Sequence, residues 1–277
     1  MGIYKISYLS QAHTVYGYLG VPGTSSDITS VLRDSLTEFV GYPQSIVQIC
    51  FSIQNMESAK SERYPLLVYC RGGIGRVGQV RLEWIAEFLR CGVAVFAPCY
   101  RGSEGGEGRD EFGGDDVNDV LAGVDFCGAL PFIDSSSTTL LGFSRGSINA
   151  TKASLMMSNV MHLILWGGIA DLAAIYADRV DLRQMLRRVT GGTPARMPEE
   201  YRVRSPLAFI KDIPCPVTLV HGTADLQVSF RQALAMKQAL QNAGTSSRSH
   251  FYQGLGHHLP LQIHRAVVER MLSSFEV

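Results

Sequence analysis

Residues 3–9 and 14–21 alternate polar and apolar side chains, the pattern of two half-buried strands joined as a hairpin. Further along, apolar runs at Leu66–Cys70, Val93–Ala97, Thr139–Phe143, His162–Trp166, Val217–His221 and Ser249–Tyr252 alternate with helix-period segments. Those segments fall near Val80–Arg90, Asp115–Cys127, Gly146–Met157, Phe230–Ala243 and Leu261–Phe275. The runs are too apolar for half-exposed strands, so the pattern predicts a mostly parallel sheet with helices on both faces. Two stretches break the alternation. Residues 23–45, rich in Ser, Thr and Gly with an amphipathic patch at Ile28–Val40, read as a surface insertion with a short helix, followed by a possible strand at Ile46–Ile53. Residues Ala170–Phe209 carry Ile175, Tyr176, Met185, Leu186 and Tyr201 among Arg179, Arg183, Arg187 and Arg188. They read as a helical cap whose apolar residues line an acyl pocket while the arginines face water.

Composition narrows the class without changing this picture. A chain of 277 residues can fold as one domain, here expected as residues 1–60 of N-terminal strands and insertion ahead of a catalytic body with the 170–209 cap. Its 25 basic and 25 acidic residues balance, and no basic run appears, which argues against a nucleic acid or anionic membrane as partner. The six cysteines stand singly, without metal-ligand spacing, and read as free thiols in a reducing compartment; no metal and no cofactor is expected. The first residues lack the apolar core of a signal peptide, and no apolar run approaches the ~20 residues of a membrane span. The sequon Asn149-Ala150-Thr151 falls in an expected helix and is set aside. The expectation is a cytoplasmic protein, with a homo-oligomer left open.

In parallel sheets the site gathers where the strands end. The run Thr138–Leu141 leads into Gly142-Phe143-Ser144-Arg145-Gly146 and then a helix. This is the setting of a nucleophile elbow, in which a sharp strand-to-helix turn lifts a serine hydroxyl above the sheet. Glycines stand two before and two after because side chains there would strike the neighbouring strand and helix. A serine hydroxyl needs a base, and the base needs an orienting acid, in the chain order serine, acid, histidine. Val217–His221 ends in Gly222-Thr223-Ala224-Asp225, and Ser249–Tyr252 ends in Gln253-Gly254-Leu255-Gly256-His257-His258. These assign Ser144 as nucleophile, His257 as base and Asp225 as acid, with His257 preferred to His258 because Gly254 and Gly256 let the backbone turn. Asp225 could instead cap the helix at Phe230. The remaining histidines, His221 and His264 among them, lie within strands or helices and read as packing or hydrogen-bonded residues rather than catalysts. The second requirement is an oxyanion site. The Arg145 amide at the helix start and the Gly73 amide in Arg71-Gly72-Gly73-Ile74-Gly75-Arg76 are its expected donors, though a glycine-rich turn could also cradle phosphate.

Six segments in order resemble the catalytic domain of the prolyl oligopeptidase family of the α/β-hydrolase fold. They are Tyr100–Gly106, Phe112–Val120, the elbow, Gly191–Pro194 through Tyr201, Arg204–Leu207 and His221–Asp225, within a match from about residue 64 to 270. The resemblance implies the same Ser144, Asp225 and His257. It departs from the family in two places: Arg71-Gly72-Gly73-Ile74 replaces His-Gly-Gly-Pro, and the 60 or so residues ahead of the domain are too few for a β-propeller. The expectation drawn is hydrolysis of a small carboxylic ester through an acyl-enzyme. A serine aminopeptidase or acyl-peptide hydrolase acting on short peptides is the alternative, and a non-catalytic ligand-binding homologue a third reading.

Overall fold

The computed structural model describes residues 1–22, 47–49 and 63–272. The insertion expected at 23–45 and most of the possible strand at Ile46–Ile53 lie outside these residues. Strands β1 (Gly2–Ser10) and β2 (His13–Val21) form the expected hairpin, paired from Gly2↔Val21 to Ser10↔His13, with Gln11 at φ 54° in its tight turn. The others are β3 (Val47–Ile49), β4 (Tyr64–Cys70), β5 (Ala94–Pro98), β6 (Ile133–Phe143), β7 (Val160–Trp166), β8 (Val217–Gly222) and β9 (Ser247–Tyr252). Among the described residues they make one sheet in the order β3-β1-β2-β5-β4-β6-β7-β8-β9. The strands from β4 to β9 run parallel, and the hairpin and β3 add an antiparallel edge.

Successive side chains on a strand point to opposite faces, so a run buried throughout needs cover on both sides. β4 meets this condition residue by residue. Leu66, Val68 and Cys70 join the core under α2 (Val117–Gly128), α3 (Gly146–Met156) and α7 (Phe230–Ala243). Leu67 and Tyr69 join the other core, under α1 (Leu82–Leu89) and α8 (Leu261–Leu272). This is the α/β-hydrolase architecture.

β6 begins earlier than its apolar run. The expected run begins at Thr138, but Ile133 and Asp134 already pair with Tyr64 and Pro65 before a register shift between Pro65 and Leu66. Between β7 and β8 the chain forms α4 (Leu172–Asp178), α5 (Arg183–Thr190) and α6 (Pro198–Arg202), with 3₁₀ turns at Val180–Leu182 and Pro206–Asp212. Asp171 starts α4 by accepting hydrogen bonds from the amides of Ala173 (2.8 Å) and Ala174 (3.2 Å). Leu172, Ile175, Leu186 and Tyr201 pack with Ile148, Ile169 and Val228, which seats this helical segment above the ends of β6, β7 and β8.

Candidate active site

β6 stops at Phe143, and Ser144 turns the chain with φ 56°, a left-handed conformation that side chains rarely adopt. Its amide donates to the Trp166 carbonyl at 2.9 Å, tying the turn to β7. A Cβ on Gly142 would stand 2.5 Å from the Ser147 Cα, and one on Gly146 would collide with the Cys70 carbonyl. The two glycines therefore let helix α3 leave the sheet so sharply. The strained serine is the residue raised from the turn.

The other two assigned residues meet at the neighbouring strand ends. His257 Nδ1 lies 2.6 Å from Asp225 Oδ2, both side chains being buried. Asp225 Oδ1 accepts from the amides of Gln227 (2.8 Å) and Val228 (2.9 Å), which fixes the carboxylate's orientation. The cap of α7 is Ser229, which accepts from the Arg231 amide, so Asp225 is free for the histidine. Burial alone would raise the Asp225 pKa. Hydrogen bonds from His221 and His257, the His257 charge and the Val228 amide outweigh it and hold the carboxyl well below the usual range.

Two further positions touch this pair without having been assigned to it. His221, expected to be packed or hydrogen-bonded, has its Nε2 3.2 Å from Asp225 Oδ2 and 2.9 Å from the Val228 carbonyl. Its place near the end of β8 was the available signal. Gly167, after β7, has φ 53°, and a Cβ there would lie 3.1 Å from the His257 ring. A glycine directly after a parallel strand was the signal for that close approach. The neighbouring His258 takes a different partner: its Nε2 is 3.2 Å from Arg81 Nη2, and burial, then Arg81, push its pKa down to about 4. The structure thus sets His257, and not His258, against Asp225.

Behind the glycine loop lies a buried cluster of charges. The Tyr100 ring has the Arg71 and Arg145 guanidiniums each 4.6 Å from its centroid. Arg145 Nη1 donates to Asp110 Oδ2 at 2.7 Å and to the Gly73 carbonyl at 2.9 Å, while Nη2 pairs with Asp116. Asp116 also accepts from the Gly113 amide and from Asn149 Nδ2. Arg71 Nη1 donates to the carbonyls of Gly72 (3.1 Å) and Gly73 (3.3 Å). In a trans peptide the carbonyl and N–H point opposite ways. Holding the Gly72 carbonyl on the arginine therefore turns the Gly73 N–H away from the cluster. Gly73 itself has φ 69°, and a Cβ there would be 2.8 Å from the Val77 carbonyl. The sequence reading used Arg145 only for its amide. Its side chain is a brace for the loop carrying the other expected donor.

Burial would lower the Arg145 pKa, but Asp110 and Asp116 raise it further above its usual value. Asp116 is pulled the other way: burial would raise it, and Arg145, Asn149 and the Gly113 amide hold it below the carboxylate range.

Ser144, His257, Gly72, Gly73 and Arg145 line one cavity of about 230 Å³. Ile175, Leu182 and Met185 of the helical segment form an apolar part of its wall, as expected of an acyl pocket. Arg179 departs from the expectation of a solvated face. It too lines the cavity, paired with Asp181 at 2.6 Å and bound to the Gln227 carbonyl. Among the described residues no cluster of three or more His, Cys, Asp or Glu is placed to hold a metal ion, and no helix is long and apolar enough to cross a membrane.

With this geometry in place, comparison with known proteins decides the family. Residues 80–275 match the prolyl oligopeptidase family. The chain belongs to that family. It is a serine hydrolase of the α/β-hydrolase fold. Its relatives include an uncharacterized peptidase, YtmA, of Bacillus subtilis, 35% identical over 216 residues that cover 78% of this chain and 84% of the relative. A dipeptidyl-peptidase 5 of Porphyromonas gingivalis is 25% identical over 72% of this chain, but that match covers 31% of the relative. Among solved structures, a Mycobacterium tuberculosis puromycin-hydrolyzing peptidase superposes with TM-score 0.75 at 21% identity, covering 97% of this chain and 38% of that one. A Pyrococcus horikoshii acylaminoacyl peptidase gives TM-score 0.71 at 20% identity, with 98% and 41% covered. The chain thus spans less than half the length of these larger relatives.

Proposed function

We propose that the protein is a serine peptidase of short peptides, acting through Ser144, His257 and Asp225. The observation that carries this reading is the 2.6 Å contact between His257 and Asp225 beside a strained Ser144 on one cavity wall. Ser144 Oγ attacks the scissile carbonyl while His257 Nε2 takes its proton, and Asp225 holds the Nδ1–H tautomer and stabilises the imidazolium. The oxyanion is met by the amides of Gly73 and Arg145 at the start of α3. Collapse expels the amine, which receives the proton from His257; water then releases the acyl group by the same steps.

Ester hydrolysis was the first expectation, with a short peptide as the alternative. The family match and the peptidase name of a relative matched over 84% of its length favour the peptide bond. The test compares turnover of an N-acyl aminoacyl anilide, the free aminoacyl anilide and the matching ester on wild type and Ser144→Ala. The proposal expects anilide cleavage that the substitution abolishes. Cleavage of the ester alone would return the reading to an esterase.

A further inference from the structure

Three arginines line the cavity, and they differ in what their guanidiniums hold. Arg145 is committed to Asp110 and Asp116, and Arg179 to Asp181 and the Gln227 carbonyl. Arg81, at the start of α1, has no carboxylate within ion-pair distance among the described residues. Its guanidinium meets His258 Nε2 at 3.2 Å and stands 5.9 Å from the Trp84 ring centroid. Burial and the arginine keep His258 neutral at pH 7, so that imidazole accepts one hydrogen bond and leaves the cation's charge uncompensated. Among the described residues that line the cavity there is no Asp or Glu. A free ammonium entering it would therefore meet cations and no counter-charge.

The position of Arg81 says which part of a substrate it would meet. Its partner His258 follows His257, the residue that hands a proton to the leaving group, and the Phe143 ring lies 4.8 Å from one imidazole and 5.3 Å from the other. The apolar wall of Ile175, Leu182 and Met185 comes from the separate helical segment. An acyl side chain suits that wall, and the leaving group suits the polar stretch of Arg81 and His258.

We infer that Arg81 forms a subsite for a carboxylate on the leaving-group side of the scissile bond, so that the enzyme prefers acidic leaving groups. This rests on the proposed acyl transfer at Ser144. The carboxylate could be the α-carboxylate of a terminal residue or an acidic side chain. A charge-assisted hydrogen bond of this kind is worth about tenfold to a hundredfold in specificity.

The test measures kcat/KM of the full chain on an N-acyl dipeptide with a free C-terminal carboxylate, its C-terminal amide, and the same amide with aspartate in the last position. Wild type should favour one or both carboxylates by at least about tenfold over the neutral amide, and added salt should shrink the ratio. Whichever acid wins identifies the source. Arg81→Met should bring the ratio near one and Arg81→Lys should restore part of it. The ratio is read within each protein, so a folding defect, which lowers both rates, does not imitate its loss. A wild type indifferent to the carboxylate, or a ratio kept in Arg81→Met, overturns the inference. Aryl esters of one acyl group, with a carboxylate or a carboxamide on the ring, read the same subsite without a peptide bond. Selectivity on these esters with no peptide cleavage would overturn the peptidase reading alone; peptide cleavage with no selectivity would overturn the subsite alone.

Discussion

The back of the cavity and its helical wall both carry arginine–carboxylate pairs, and the two sets do different jobs. Behind the glycine loop, Arg145, Asp110 and Asp116 are almost wholly buried and every carboxylate is shared among several donors. On the helical segment, Arg202–Glu199 stands in solvent, while Arg179 is partly buried at the cavity and only its partner Asp181 is exposed. Burying ions is costly, and such pairs stabilise a fold little compared with apolar residues of similar size. What the buried set fixes is a direction: the Gly72 and Gly73 carbonyls are held on the arginines, so the loop amides face elsewhere. The exposed pair gains little in water and holds little in place. The reaction centre is thus braced by charge, and the substrate wall by apolar packing with charges added at its surface.

Substitutions on each side should separate these roles. Among the groups around the nucleophile, the largest effect is expected at the acid: Asp225→Asn should lower turnover about 10⁴-fold by leaving His257 in the wrong tautomer, read in steady-state kinetics with little change in KM. Next, Asp116→Asn should cost about 3–5 kcal/mol of stability in urea unfolding, because it leaves Arg145 short of a buried counter-charge. A loss below 1 kcal/mol would mean that the buried cluster is no brace.

A smaller effect concerns pH. His264 packs against Trp84 and Trp166, its Nε2 lacks a hydrogen-bond partner among the described residues, and burial first of all pushes its pKa down to about 4. The unfolded chain titrates this group near 6.5, so between about pH 6.5 and 4 the unfolded state binds more protons. Stability should therefore fall on acidification through that window, and His264→Gln should flatten the slope in urea titrations at several pH values. The smallest effect is expected on the solvent face of the helical segment, where Arg202→Gln should leave the urea unfolding midpoint essentially unchanged.

The comparison also explains what could be read from the chain. Strands β4 to β9 were legible because runs such as Leu66–Cys70 must be covered on both faces. The proposed triad could be assigned from the sequence because each member follows a strand end in a fixed order. The roles of the Arg145 and Arg71 side chains were not. An arginine beside a serine nucleophile carries no local sign that Asp110 and Asp116, on a loop from another part of the sheet, will neutralise it. The partner of His221 was hidden for a related reason: a histidine inside an apolar strand reads as packed or hydrogen-bonded, and only the fold of the next loop brings Asp225 within 3.2 Å. The early start of β6 at Ile133 was not legible, because the pairing that extends it comes from β4, far away in sequence.

All of this depends on Ser144 becoming acylated, and covalent labelling measures that directly. Wild-type protein treated with a fluorophosphonate should gain the mass of one adduct per chain, mapped by peptide sequencing to Ser144, while Ser144→Ala gains none and loses on the order of 10⁶ in turnover. An adduct mapped to another residue, or a Ser144→Ala protein that still hydrolyses its substrate at the wild-type rate, would contradict the account.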